Sequence, residues 1–171
     1  MSEDLAMSDD RADHGGTRFT HVDAAGAARM VDVTAKAVTV REATATGLVR
    51  CSGNVVQALR DATVPKGDVL AVARLAGIQA TKRTPELVPL AHPVAIHGVV
   101  MDVQVVDDGV ALRATVRTAE RTGVEMEALT AVAVAGLAVV DMVKALDRYS
   151  EITDVRVVAK SGGRSGDWVR D

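Results

Sequence analysis

Two charged side chains interrupt an otherwise apolar run. From Gly123 to Ala145 the sequence reads GVEMEALTAVAVAGLAVVDMVKA, and Asp141 and Lys144 fall three positions apart near its end. On a helix that spacing puts both on one face, within reach of each other. Such a pair is either a solvated ion pair near a helix end or a partly desolvated one. In the second case the carboxylate holds the ammonium, and burial moves its own pKa toward a useful acid–base range. The pattern by itself favours the solvated pair.

Glu125 and Glu127 stand in the first turn of the same run, where carboxylates interact favourably with a helix dipole. At about 100° per residue, Glu127 and Asp141 lie roughly 40° apart around the axis and about 21 Å apart along it. Two groups so far apart cannot readily grip one reacting atom. Three arrangements remain: a site shared between subunits, one long pocket, or a structural role for one of the two.

Other cations stand near turns or element ends. Lys66 precedes Gly67-Asp68, Lys82 lies in Thr81-Lys82-Arg83-Thr84, and Lys160 opens the glycine-rich stretch AKSGGRSG. Backbone amides in such loops, with cations nearby, suit phosphate oxygens. The GxxxxGK[ST] spacing of a P-loop is absent, and any one of these lysines alone reads equally as a solvated surface residue. His92, in Pro89-Leu90-Ala91-His92-Pro93, is biased toward extended backbone by the following proline. A lone histidine is more often a hydrogen-bonded structural residue, and His21 and His97 have weaker claims. The four histidines lack zinc-ligand spacing.

The elements that must position these groups follow from periodicity. Arg29–Thr34 and Ala37–Cys51 alternate and are rich in Val and Thr, which predicts strands. Ser52–Asp61 predicts a short helix with Ser52 as its cap, Gly67–Gln79 a second helix, and Thr84-Pro85-Glu86 a new helical start. Val94–Val106 and Val110–Thr118 read as strands joined by the hairpin signal Asp107-Asp108-Gly109. A long helix over about Val124–Arg148 and a strand over Thr153–Ala159 complete the order. Strand, helix, strand, strand, helix, strand is the ferredoxin-like βαββαβ order, an α+β fold with an antiparallel sheet and helices on one face. The long helix is apolar almost all round, more than one sheet can cover, so a homo-oligomer with this helix near an interface is expected.

The totals agree with a single domain. A chain of 171 residues with a hydrophobic fraction of 48% can build one core, here from Ala, Val, Leu, Ile and Met because only Phe19, Tyr149 and Trp168 are aromatic. Residues 1–17 read as an acidic disordered tail, and residues 18–171 as one catalytic domain with a flexible glycine-rich loop at 161–166. A net charge of −3 gives no general attraction to nucleic acid or acidic membranes. The predicted strands also lack the aromatics on which RNA bases stack. The lone Cys51 excludes an internal disulfide and a cysteine-based zinc site. The N-terminus has no apolar signal segment, and the longest uncharged helical run, Ala128–Val140, falls short of the roughly 20 residues of a membrane span. The expectation is a cytoplasmic protein.

Four blocks taken in order resemble the cyclic pyranopterin monophosphate synthase family of molybdenum cofactor biosynthesis. They are THVDAAGAARMVDVTAKAVTVREA (Thr20–Ala43), KGDVLAVARLAGIQATKRTPELVPLAHP (Lys66–Pro93), TGVEMEALTAVAVAGLAVVDMVKA (Thr122–Ala145) and AKSGGRSGDW (Ala159–Trp168). The resemblance implies a phosphorus–oxygen lyase that converts 3′,8-cyclo-7,8-dihydroguanosine 5′-triphosphate to cyclic pyranopterin monophosphate and diphosphate. It implies a hexamer of ferredoxin-like subunits, a trimer of dimers, with active sites between subunits. By the same resemblance Asp141 and Lys144 are the central acid–base pair and Lys66 a second catalytic lysine. Leu90, Ala91, His92, Glu125, Met126, Glu127 and Lys160 are then substrate-binding, and Lys82 is a further candidate. No cysteine nucleophile, redox cofactor or protein-held metal is required, although Mg²⁺ can accompany the triphosphate. Ala91 stands where many relatives have Cys, and Arg164 where many have Lys. Arg keeps the charge and can bind two phosphate oxygens at once, but it cannot carry protons at neutral pH. The competing reading is a non-catalytic paralogue that binds a phosphorylated pterin or nucleotide.

Overall fold

Alternating Val, Ala and Thr residues produce a central twelve-residue strand, β1 (Thr39–Arg50), in a computed structural model that describes residues 27–171. Residues 32–171 form one unit, described below; the expected acidic tail and His21 lie outside the described residues. After β1 come α1 (Gly53–Arg60), α2 (Val69–Thr81) and α3 (Thr84–Leu87), then the hairpin strands β2 (Gly98–Val106) and β3 (Gly109–Glu120). The long helix α4 (Glu125–Val143), β4 (Glu151–Ser161) and the short β5 (Trp168–Val169) complete the unit.

The five strands form one antiparallel sheet in the order β2-β3-β1-β4-β5. This is an α+β architecture, and the order of its first four strands is consistent with the ferredoxin-like arrangement. Along β3 the side chains alternate as a half-covered sheet requires. Val110, Leu112, Ala114 and Val116 are buried, while Arg113 and Arg117 are exposed on the other face. The hairpin turn closes at Gly109, whose φ of +147° brings its backbone so near Val49 that a Cβ would lie 1.9 Å from the Val49 carbonyl oxygen.

Small residues bring α4 close to the sheet. Ala128, Ala131, Ala135 and Gly136 are buried, and Val132 packs over Gly47 of β1, where a Cβ would come within 2.6 Å of it. By length and composition α4 could cross a membrane, but here it is the core helix, covered by α2 and the sheet. The core is aliphatic, as the shortage of aromatics demands.

α2 runs antiparallel to α4. Lys66, just before α2, reaches Asp141 near the end of α4, and Gly77 in mid-α2 lies against the Ala131 carbonyl. Asp68 caps α2 by accepting a hydrogen bond from the Ala71 N–H (2.9 Å). Ser52 holds the cap position of α1 but makes no side-chain cap bond.

Three expected elements differ. No strand forms over residues 29–34. Asp32 Oδ1 instead accepts from both the backbone N–H and the hydroxyl of Thr34, and the Lys36 N–H bonds the Val33 carbonyl, so this polar segment turns. The long helix stops at Val143, not Arg148, because the N–H groups of Leu146 and Asp147 both close onto the Val143 carbonyl. The strand expected from Val94 begins at Gly98, since the Ala95 carbonyl is taken by the Thr118 hydroxyl (2.6 Å). The stretch 161–166 forms a turn in which the Gly162 N–H bonds Asp167 Oδ1 (2.9 Å) and the Gly166 N–H bonds the Gly163 carbonyl.

Candidate active site

The last turn of α4 presents Asp141 outward, and two lysines close on it from different parts of the chain. Lys144, the C-terminal cap residue of α4, donates from Nζ to Asp141 Oδ1 at 2.7 Å. Lys66, in the turn before α2, donates to Asp141 Oδ2 at 2.9 Å and to the Asp141 backbone carbonyl at 2.8 Å. That carbonyl is one of the four a helix end leaves without an internal partner, so Lys66 also closes the helix terminus. The three residues expected to be catalytic therefore meet within one chain, although 75 positions separate Lys66 from Asp141.

Their electrostatics differ from the desolvated pair considered above. The side chain of Asp141 is 57% exposed, and its pKa is lowered to about 2 by the hydrogen bonds and charges of Lys144 and then Lys66. With both carboxylate oxygens occupied by ammonium groups, Asp141 is an anionic anchor and a poor proton acceptor. Each ammonium has three N–H groups. Lys144 keeps two of them, and Lys66 one, beyond the bonds to Asp141.

A second charged group assembles at the opposite end of α4. Lys160, on β4, donates to Glu125 Oε1 (3.0 Å) and to the Ser165 hydroxyl (2.9 Å). A cavity of about 120 Å³ opens beside it, lined by the cations Lys36, Arg41 and Lys160 and the carboxylates Glu42 and Glu125, with Thr122, Gly123, Ser161 and Gly162 filling the wall. Arg41 is held by its Nε bond to the Glu120 carbonyl (2.9 Å). Gly163 has a φ of +80°, which favours glycine, and a Cβ there would lie 2.3 Å from the Arg41 guanidinium and displace it. Hydroxyls, loop amides and three cations are groups that suit phosphate oxygens, here set beside the carboxylates Glu42 and Glu125.

Lys36 and Arg41 were missed by the sequence reading. Lys36 sits outside any periodic element, and Arg41 resembles any outward residue of a strand. Only the folding of β4 and its glycine turn against β1 brings them to Lys160.

The remaining candidates group toward this second end. Glu127 lies in the first turn of α4, only 3% exposed, and its pKa is raised to about 7, chiefly by burial and further by the Glu125 charge. Glu127 and Asp141 thus share a sector of the helix and not an environment: one is enclosed, the other faces outward. Met126 beside it is 43% exposed. Lys82, exposed at the C-terminal cap of α2, lies toward the N-terminal end of α4 because the two helices are antiparallel. Leu90, Ala91 and His92 are half-buried in the segment after α3, where the Ala91 N–H bonds the Val88 carbonyl. Asp32 has its pKa lowered mainly by Thr34 and, in small part, by the charge of His92, which puts His92 near the segment leading to Lys36. His97 has a structural role, accepting from the Ala119 N–H at Nδ1 (3.3 Å). Among the described residues, no three His, Cys, Asp or Glu side chains cluster as a metal site.

Known proteins resemble this chain over most of its length. A cyclic pyranopterin monophosphate synthase of Streptomyces coelicolor is 62% identical over 153 residues, 90% of each chain. One from Nocardioides is 62% identical over 156 residues, 90% of this chain and 96% of that one. Cyclic pyranopterin monophosphate synthase 2 of Mycobacterium bovis is 49% identical over 166 residues, 97% of this chain and 99% of that one. The MoaC family model matches residues 30–163, which span β1 to the glycine turn and include both charged groups. On these matches the chain belongs to the MoaC family.

Proposed function

We infer that this chain is a cyclic pyranopterin monophosphate synthase of molybdenum cofactor biosynthesis. It converts 3′,8-cyclo-7,8-dihydroguanosine 5′-triphosphate to cyclic pyranopterin monophosphate and diphosphate, as a phosphorus–oxygen lyase of the cytoplasm. The convergence of Lys66 and Lys144 on the Asp141 carboxylate carries the reading.

The reaction rebuilds a purine-derived ring system, and then a sugar hydroxyl attacks the α-phosphate as diphosphate leaves. Protons must move at ring nitrogens and hydroxyls. Asp141 stays ionised and fixes two ammonium groups beside each other. Lys144 and Lys66, both held on that carboxylate, exchange those protons. Lys160, with Lys36 and Arg41, stabilises charge on the phosphates and on the departing diphosphate. His92, Leu90, Ala91, Met126 and Lys82, grouped toward the Lys160 end with the buried Glu127, begin the substrate path that leads to the lysine pair.

That path runs between subunits. Glu125 and Asp141 stand 16 positions apart on α4, about 24 Å along the axis, so one chain presents the two groups to different places. A trimer of dimers in which the C-terminal end of one α4 meets the N-terminal end of another would complete each site. Leu137, 60% exposed in mid-helix, supplies apolar surface for such packing. No resident cofactor takes part; Mg²⁺ enters bound to the triphosphate, and chelating it during turnover tests that role.

Turnover of the purified cyclised nucleotide, following diphosphate and pterin together, is the direct test. Lys144→Ala and Asp141→Ala should each leave a folded oligomer that makes no pterin. Substantial product from either would sink the catalytic assignment, and nucleotide binding without turnover by the native protein would favour a non-catalytic paralogue.

A further inference from the structure

α1 lacks a cap from its own sequence and receives one from a residue 95 positions away. The backbone N–H of Ser52 donates to Asp147 Oδ2 at 2.8 Å. Asp147 follows Lys144 by three residues, in the turn that ends α4. Its other carboxylate oxygen accepts the Tyr149 N–H (2.9 Å), its carbonyl accepts the Ser150 hydroxyl (3.2 Å), and its own N–H bonds the Val143 carbonyl (3.1 Å). The bond to Ser52 also lowers the carboxyl pKa, so the group remains an acceptor at neutral pH.

These bonds close a ring through the catalytic group. Asp147 holds the turn that carries Lys144 against the N-terminus of α1. The other end of α1 leads through buried Val64 to the turn bearing Lys66, closed by the Gly67 N–H on the Val64 carbonyl. Lys66 and Lys144 then meet on Asp141. An ammonium on a long flexible stem is directed only as well as its backbone is placed, and about 1 Å of misplacement can cost about 100-fold in rate.

We propose that Asp147 is a positioning residue for the synthase reaction: by capping α1 it sets the separation of the Lys66 and Lys144 backbones around Asp141. It touches no substrate and acts through the two lysines. The proposal rests on the catalytic reading of those lysines. Its effect falls on kcat and not on KM, because the phosphate-binding cations stand at the far end of α4.

Two variants cut the link from opposite sides. Asp147→Asn keeps one acceptor oxygen for two N–H donors. Ser52→Pro removes the donor without touching Asp147, and the φ of −64° at Ser52 already suits proline. Both, assayed below their own melting temperatures as intact oligomers, should lower kcat by about 10-fold with KM within about twofold, and Asp147→Ala should fall further. Lys144→Ala is assayed beside them. Wild-type kcat in Ser52→Pro and Asp147→Asn, with Lys144→Ala inactive, would overturn the positioning role alone, even if melting temperatures drop. A raised KM at unchanged kcat would overturn it as well. Full activity of Lys144→Ala would instead remove the catalytic reading beneath it.

Discussion

Replacing Glu127 with glutamine should make the protein more stable at neutral and alkaline pH, and by an amount set by burial. The carboxyl is 3% exposed, and its pKa rises from 4.5 to about 7 in the folded chain. A raised carboxyl pKa means that the folded state binds the proton more tightly than the unfolded state does. Below about pH 4 both states are protonated and the group costs nothing. Between 4.5 and about 7 the unfolded chain gains by ionising while the folded chain cannot, so stability falls as pH rises and levels off above about 7. A difference of about 2.5 at about 1.36 kcal/mol each amounts to about 3 kcal/mol. Glutamine fills the same space and never ionises. The stability of Glu127→Gln relative to wild type should therefore grow by about 3 kcal/mol between about pH 4 and about pH 8. Denaturant unfolding of both proteins at one subunit concentration, with the assembly state checked at each pH, measures this difference. An equal difference at both pH values would refute the raised pKa and with it the view of Glu127 as a group poised to hold a proton at neutral pH.

Other outcomes follow from the two-ended site. Mixing Lys144→Ala with Lys160→Ala subunits should restore activity up to about a quarter of wild type, since some shared sites then draw both ends from unmutated positions; mixing Lys144→Ala with Lys66→Ala should restore none, because both lysines serve one Asp141. No recovery in the first mixture, with mixed oligomers shown to form, would argue against sharing. Gly162→Ala should raise KM if the Lys160 cavity holds phosphate as proposed, because its φ of +81° and a Cβ only 2.2 Å from the Val40 carbonyl oxygen force that cavity wall to shift. Gly109→Ala carries similar strain far from that wall, so it should lower stability by about 1–3 kcal/mol and leave KM alone. Steady-state kinetics beside thermal melting separates the two.

Much of this was legible in the residues because it rests on local rules. Alternation gave β1, β3 and the hairpin at Asp107-Asp108, and the three-residue spacing of Asp141 and Lys144 placed them on one face. The failures were failures of competition. The segment from Arg29 to Thr34 alternates like a strand, yet Asp32 bonds its own neighbours more readily than a ladder. The apolar pattern continued past Val143, but Asp147 prefers a turn that also secures α1. β5 is two residues long, too short for any period to register. The second lysine on Asp141, Lys66, and the partners of Lys160 were beyond periodicity altogether, because the tertiary fold determines which distant residues meet. The Lys66 contact was implied by family resemblance, while Lys36 and Arg41 came only from the fold.

The state of Asp141 is the point at which geometry redirects the chemistry. A buried acid–base carboxylate would titrate near neutrality, but this one is exposed, held to about 2, and saturated by two cations. Glu127, at the other end of the same helix, is instead pushed up to about 7 by burial. The two ends of α4 thus hold carboxyls of opposite character, one fixed as an anion and one raised toward neutrality. The lysine pair can protonate departing groups, whereas a neutral Glu127 can donate and its anion can accept within a narrow pH range. If the ends meet between subunits, each complete site pairs a fixed anion carrying two ammonium groups with a carboxyl that changes state around the working pH. A Glu127 that exchanges protons with substrate should put a limb near pH 7 in the kcat profile. That limb should vanish in Glu127→Gln while Asp141→Asn, which loses the anchor, should lower kcat at every pH. A limb that persists unchanged in active Glu127→Gln enzyme would return the proton-carrying role to the lysines alone.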